Sequence, residues 1–462
     1  MEEQTKPYEA NLERQLRIKN WGVEQQNKIR DSKVLIIGDG ILEEMILGSM
    51  LGLGVGNILF FDKKEGGKSY LAKNNKKDRI DQILTTTKEI SPFSKISGYS
   101  ARFSNSLLDY EEFIPSFIID STNDFHSKEK SLEYAIERDI NYISVYSNKR
   151  KSVLTYYDKN KNNIEEILSD FGITKEDKEQ GSIISGINAG IITDELRKSL
   201  FKLESFDHLL DRKIIYNLDS KNRKSLDSDN QIDYDFSSKK ILVAGAGAIG
   251  NFVALNLALS GFRNIDIIDN DKIEPTNLNR QILYYGKEGK NKAPTLSQRI
   301  KELAEINSRA FVYKLEKSSG DFFKKNSYDL IFGCFDNLKA RYYLNEFALE
   351  FKIPYIDGGT AEFIGSASVY NPTKTPCIKC KKNIEEPKTE LRRSCAATPL
   401  ASVIIPNIAI GSAMVGEAIN LLAGEINEHA IVYDTFNRNR IFRQIELKSK
   451  QGCKCNSGVV HG

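Results

Sequence analysis

The alternation of apolar and polar residues along this chain occurs twice. Ser32-Lys-Val-Leu-Ile-Ile-Gly-Asp-Gly and Ser238-Lys-Lys-Ile-Leu-Val-Ala-Gly-Ala-Gly each carry a short β-branched run that ends in a glycine turn. Such a run suits a buried parallel strand. Each is followed by a second apolar run closing on an acid, Asn57-Ile-Leu-Phe-Phe-Asp and Asn264-Ile-Asp-Ile-Ile-Asp. At an offset of 207 residues, Gly38 falls on Gly245, Gly40 on Gly247 and Asp62 on Asp269. At 213, Phe117-Ile-Ile-Asp falls on Leu330-Ile-Phe-Gly, and Asn141-Tyr-Ile-Ser on Pro354-Tyr-Ile-Asp. Near the end of each copy, Ser185-Gly-Ile-Asn-Ala-Gly and Pro406-Asn-Ile-Ala-Ile-Gly open an amphipathic helix. Strands alternating with helical segments predict an α/β fold, a mostly parallel, doubly wound sheet built twice. The expected domains are residues 1–217 and 237–462. The Ser-, Asp-, Asn- and Lys-rich stretch 218–236 reads as a polar linker.

Composition narrows the partners. A net charge of +3 on 462 residues gives no case for nucleic-acid binding. The most apolar stretch, 403–422, contains Pro406, Asn407 and Glu417 and reads as a buried helix, not a membrane span. The start, Met-Glu-Glu-Gln-Thr-Lys-Pro, lacks the features of a signal peptide, so a cytoplasmic protein is expected.

Gly245, Gly247 and Gly250 form G-x-G-x-x-G between strand and helix, and Asp269 follows at the end of the next strand, placed for ribose hydroxyls. That much also fits a dehydrogenase-like nucleotide domain. The residues beyond it change the picture: Asp271, Asn277, Arg280, Gln281, Lys292, then Asp336 and Asn337. A nucleotide whose phosphates react needs cations, here Arg280 and Lys292, and an acid to hold magnesium, here Asp336. Dinucleotide oxidoreductases need no such set. The first copy has Glu43 at the third glycine position and Lys73 where the second has Arg280. It is expected to have kept the fold and lost the nucleotide site.

The six cysteines all follow residue 333. Cys377-x-x-Cys380 and Cys453-x-Cys455 suit a tetrahedral structural zinc, while Cys334 reads as core. No cluster forms among the four histidines.

With Gly-Ala-Gly-Ala-Ile-Gly, Asn277-Leu-Asn-Arg-Gln, Lys292-Ala, Asp336-Asn-x-x-x-Arg341 and Tyr355-Ile-Asp-Gly-Gly-Thr on one chain, the sequence resembles the ubiquitin-activating enzymes and their ThiF-type bacterial relatives. Glu13-Arg-Gln-Leu-Arg and Trp21-Gly-Val-Glu-Gln-Gln extend the likeness to the non-catalytic half of two-part activators. The resemblance implies two tandem Rossmann-like ThiF-type domains forming a pseudo-dimer; a further homodimer is compatible with that layout. It implies ATP- and magnesium-dependent adenylation of the C-terminal carboxylate of a small β-grasp protein, ubiquitin-like or sulfur-carrier. It also implies that Arg14 reaches from the first half into the second half's site. Cys395, in Arg392-Arg-Ser-Cys after the C-x-x-C, matches the crossover-loop nucleophile that takes the product as a thioester or acyl-disulfide. Its neighbouring arginines would stabilise a thiolate. Relatives usually carry a second C-x-x-C where this chain has C-x-C. The span 357–395 leaves no room for the inserted cysteine domain of the large activators. Two other readings compete: an adenylyltransferase modifying a ribosomally made peptide, microcin-type, which needs no Cys395, and a nucleotide-bound scaffold, which the survival of Arg280, Lys292 and Asp336 disfavours.

Overall fold

The computed structural model describes residues 10–63, 69–72, 78–157, 164–169, 179–201, 213–226, 235–372, 374–382, 384, 401–425, 429–435, 441–446, 448, 452–453 and 455. Two sheets form, one from each copy of the pattern.

The first sheet contains β1 (Lys33–Gly38), β2 (Asn57–Asp62), β3 (Lys95–Tyr99), β4 (Phe117–Asp120), β5 (Asn141–Ser147), β6 (Lys151–Tyr156) and β7 (Ile214–Asn217) in the order β3-β2-β1-β4-β5-β6-β7. The second contains β8 (Lys240–Ala244), β9 (Asn264–Ile268), β10 (Ala310–Phe311), β11 (Leu330–Gly333), β12 (Tyr355–Ala361), β13 (Ile364–Tyr370), β14 (His429–Asp434) and β15 (Phe442–Glu446) in the order β10-β9-β8-β11-β12-β13-β14-β15. In each, five strands run parallel in the 3-2-1-4-5 order of a dinucleotide-binding sheet. The rest of each sheet is antiparallel. The sheets are thus more mixed than the apolar pattern predicts. The turns from β5 to β6 and from β12 to β13 are short and lack the crossover helix that marks parallel strands in a sequence, while β7 and β14 rejoin their sheets only after the helices Ser182–Phe201 and Ile404–Leu422.

Parallel strands need cover on both faces. On each sheet part of that cover is a long helix, Ser182–Phe201 on β5 and β6 and Ile404–Leu422 on β12 and β13. These two helices, late in each repeat, pack on each other in close contact, and residues of both copies share one continuous apolar core. The crossing is tight because glycine supplies no side chain: a Cβ on Gly190 would lie 2.9 Å from the Cβ of Ala409 and 3.0 Å from the Ile405 carbonyl, and one on Gly186 would collide with Ser412. Ile404–Leu422 is apolar and long enough to cross a membrane, yet it is almost wholly buried inside this fold.

The stretch read as a polar linker is in part folded structure. The described residues up to 226 pack on the second half. Arg223 pairs with Glu417 on Ile404–Leu422 at 2.8 Å, both nearly inaccessible, and the Leu218 carbonyl accepts from Asn420. A charged pair buried this deeply stays favourable only while both members remain, since removing one leaves an uncompensated charge. Its polar composition hid this role.

Residues 10–16 and the helix Val23–Asp31 form an arm that lies over both halves. Trp21 packs edge-on to Phe201 of the first half and stacks on Phe363 of the second, with ring centroids at 5.1 and 5.9 Å.

Candidate active site

In the second half, β8 runs into Gly245, whose φ of +103° lies in the left-handed region open to glycine. A Cβ there would meet the Cys334 backbone at 2.8 Å, and one on Gly250 would strike the Gly245 carbonyl. Turn, helix and the end of β11 therefore pack backbone to backbone. Gly247 caps the helix Ala248–Leu259, and a Cβ there would face open space, leaving the first-turn amides approachable by an anion.

Asp269, at the end of β9, ties the turn down. One oxygen accepts from the Ala246 amide and the other from the Asp271 amide, each at 2.7 Å. Burial raises its pKa, and Lys292 opposes that shift. Lys292 is the first residue of the helix Lys292–Leu303, where a cation faces the positive end of the helix dipole. Asp271 offsets that with an ion pair at 3.0 Å. A buried lysine set against the dipole is a poor choice for stability and a good one for holding an anion.

Arg280 is 7% exposed, and both of its hydrogen bonds to described residues use Nη1, to the Thr276 carbonyl and to Asn279 Oδ1, each at 2.8 Å. Burial, with Arg14 close by, pushes its pKa down to about 9, while Asp336 and Glu274 act the other way. The group is still a cation at neutral pH, held where a second cation raises its free energy. Arg14 comes from the N-terminal arm, so the structure brings the two halves' arginines together. The Arg14 Nε is buried with no partner among the described residues, and the one ion pair its guanidinium makes among them is with the exposed Glu274, at 3.8 Å. Two cations so weakly compensated make a site for a polyanion.

Asp336 is exposed at the C-terminal end of β11. Its loop is clamped by Arg341, which donates to the Phe335 carbonyl at 2.8 Å, the Gly358 carbonyl at 2.7 Å and buried Asp357 at 2.6 Å. Asn337 and Asn277 face the backbone: Asn337 caps the helix Leu338–Glu350 through the Ala340 amide, and Asn277 accepts from the Glu274 amide. Gln281 is buried, and its Oε1 has no partner among the described residues. Cys334 lies in the core, where burial pushes its thiol pKa up. Cys395, with Arg392 and Arg393, lies outside the described residues.

The matching turn in the first half is filled. Glu43, at the position of Gly250, is wholly buried beneath Gly38 with no partner among the described residues for either oxygen. Burial above all, then neighbouring Asp62, raises its pKa well above the ordinary range. Gln180 reaches over the helix Ile41–Leu53 and accepts from the Leu42 amide, the kind of donor an incoming phosphate would use. Asp62, the counterpart of Asp269, is held by Arg79, which also binds Glu44.

Cys377, Cys380, Cys453 and Cys455 converge with all four sulfurs within 4.8 Å of one another. Cys377 to Cys453 and Cys380 to Cys455 each measure 3.7 Å. That is far beyond a disulfide and close to the roughly 3.8 Å edge of a tetrahedron with 2.3 Å zinc–sulfur bonds. The C-x-C spacing therefore fits a zinc ion. Lys379, between the first two cysteines, pairs with Glu346 at 2.9 Å and so ties the cluster to Leu338–Glu350.

The set that the residue pattern alone missed is a group of buried amides. Gln15 and Gln26 of the arm bond each other and the Leu53 carbonyl, and Asn279 donates to Gln15 across the halves. All three stand inside motifs quoted above, but nothing in their spacing shows that they meet.

The pattern of the ThiF family matches this chain twice, over residues 12–231 and 220–457. SUMO-activating enzyme subunit 2 of Dictyostelium discoideum is 39% identical over 146 residues, covering 31% of this chain and 22% of that protein. The NEDD8-activating enzyme E1 catalytic subunit of Arabidopsis thaliana is 38% identical over 156 residues, or 30% of this chain and 34% of that protein. Adenylyltransferase and sulfurtransferase UBA4 of Yarrowia lipolytica is 30% identical over 208 residues, or 44% and 52%. The chain thus spans about half or less of the length of these relatives. Among solved structures, E. coli MccB with ATP aligns at 23% identity and a TM-score of 0.42, over 48% of this chain and 68% of that one.

Two measurements check the geometry. The folded Glu43 pKa is raised, so its contribution to stability is greatest below the ordinary carboxylate pKa and is lost as pH rises toward the folded value. Glu43→Met, of similar volume, should gain on wild type in urea midpoint between about pH 5 and pH 8; a gap that stays flat with pH contradicts a buried neutral carboxyl. Metal analysis should find one zinc per chain, lost in Cys377→Ser along with part of the thermal stability. Four freely titrating thiols in the native, metal-poor protein would refute the zinc assignment.

Proposed function

Because this chain belongs to the ThiF family, we propose that it adenylates the C-terminal carboxylate of a small ubiquitin-like or sulfur-carrier protein. A carboxylate oxygen bonds to the α-phosphorus of ATP, the bond to the β-phosphate bridge breaks, and pyrophosphate leaves an acyl-adenylate. The observation that carries the reading is the pairing of Arg14 from one half with Arg280 from the other, both short of anionic partners. Charge moves onto the phosphates in this reaction, and preset cations in a water-poor site stabilise it most where it develops.

The other residues take roles consistent with their places. The amides beyond Gly247 and the Lys292 ammonium would receive phosphates, Lys292 leaving Asp271 to do so. Asp269, whose oxygens each accept one amide, has lone pairs left for the ribose. Asp336, on the loop fixed by Arg341, would hold magnesium, and the four cysteines a zinc with no open position. Asn277 and Asn337 serve the nucleotide by shaping the turns beside it, and Gln281 offers a buried acceptor. The first half supplies Arg14 and a wall. Transfer to Cys395 belongs to the same proposal and rests on sequence: the thiolate attacks the acyl carbonyl, AMP departs, and a thioester forms.

The test is ATP–pyrophosphate exchange with small proteins ending in Gly-Gly and, separately, with short peptides. Exchange driven by the protein is expected; exchange with the peptide alone overturns the carrier reading in favour of peptide modification. Arg14→Ala should slow exchange by about 100-fold or more with ATP affinity changed less than about threefold, as befits a group acting at the transition state. Cys395→Ala should keep exchange and lose the thiol-sensitive adduct with the carrier. An adduct that survives the substitution removes Cys395 from the pathway.

A further inference from the structure

Arg280 can only donate hydrogen bonds, so the Asn279 oxygen must face it. That turns the Asn279 amide nitrogen toward two acceptors, Gln15 Oε1 and the Ser402 carbonyl, each at 3.2 Å. With its oxygen so used, Gln15 points its nitrogen at Gln26 Oε1, 2.6 Å away, and at the Leu53 carbonyl, at 2.8 Å. Gln26 Oε1 also accepts from the indole of Trp21, at 3.0 Å, another group that only donates. Every amide in the line is oriented by its neighbours, and no member can flip without breaking at least two bonds. Gln15, Gln26 and Asn279 are each at most 2% exposed, so water offers no ready substitute.

The line crosses the boundary between halves. Gln15 and Gln26 belong to the arm, Asn279 and Arg280 to the second half. The same Asn279 amide binds Ser402, whose own amide donates to the Arg14 carbonyl at 3.0 Å. Arm, Ser402 and Arg280 therefore meet on one side chain. We propose that Gln15 and Asn279 are positioning residues, whose hydrogen bond across the two halves fixes the guanidinium of Arg280 for phosphate chemistry.

This rests on the adenylation reading, since it assigns Arg280 a phosphate to act on. A hydrogen-bonded line gains strength from mutual polarisation and loses it as a unit. Arg280 is held by the Thr276 carbonyl in addition, so loosening Asn279 lets its guanidinium swing about that remaining bond without leaving the site. The expected defect is therefore in rate rather than in nucleotide binding.

The experiment compares wild type, Gln15→Leu, Asn279→Ala and the double variant in ATP–pyrophosphate exchange with a small protein ending in Gly-Gly. In parallel, side-chain NMR of 15N-arginine-labelled protein follows the Arg280 guanidinium. Each single variant should lower kcat about 10–100-fold with KM for ATP within about threefold, as a small misplacement does. The double variant should be no slower than the worse single, because the two residues act as one line. The Arg280 guanidinium signals should broaden or merge as its rotation is freed. Unchanged kcat in folded variants, multiplying losses in the double variant, or an unmoved Arg280 signal each overturns the proposal. A variant that melts early but keeps its kcat per folded molecule shows a merely structural role, and also overturns it. If wild type shows no exchange with any carrier, the adenylation reading fails, and the NMR comparison still decides whether Gln15 and Asn279 hold Arg280.

Discussion

The close crossing of Ser182–Phe201 with Ile404–Leu422 is the constraint on which the rest of the structure depends. Gly190 against Ala409 and Gly186 against Ser412 leave no room for a side chain, so the two helices meet at a single fixed depth. That contact merges the apolar cores of the two halves and fixes how the second half presents its turn to the first. Only with the halves at that distance can Trp21 pack on both Phe201 and Phe363, and only with Trp21 seated does the arm deliver Gln15 and Arg14 to Asn279 and Arg280.

Within that frame the two glycine turns have opposite fates. Around Gly247 a Cβ would face open space, and the cations nearby are incompletely matched: Lys292 opens a helix whose dipole opposes it, and Arg280 is buried with Arg14 close by. Around Gly40 the same geometry is closed from within. Gln180 takes a helix amide, the Glu43 carboxyl fills the space beneath Gly38, and Arg79 neutralises Asp62. One half leaves its turn open beside buried cations; the other closes the same turn with its own side chains. The two states follow from which residue, glycine or glutamate, follows the turn.

The cysteine cluster and the arm bracket the segment that carries Cys395. On one side Cys377 and Cys380 are drawn to Cys453 and Cys455, and Lys379 binds Glu346 on the helix behind Asp336. On the other, Ser402 exchanges hydrogen bonds with Arg14 and Asn279. The segment's two ends are therefore anchored to the structural parts that hold Asp336 on one side and the two arginines on the other.

The sequence by itself determined the two-fold repetition, the G-x-G-x-x-G turn, the acid that follows it and the four-cysteine set, because these depend on local periodicity and on residue types with few alternative uses. It also singled out Glu43 as the residue that departs from the glycine pattern of the second copy. Tertiary structure alone decided the meaning of residues whose chemistry is common. Glutamine and asparagine occur everywhere, and only packing turns Gln15, Gln26 and Asn279 into one oriented line. Arg223 reads as a linker charge until its partner Glu417 arrives from 194 residues away. Asn277 and Asn337, which the motifs suggest as nucleotide ligands, spend their side-chain oxygens on nearby backbone amides. Local pattern encodes what a segment can become; which distant group meets it, and so what charge it faces, is settled where the two halves close on each other.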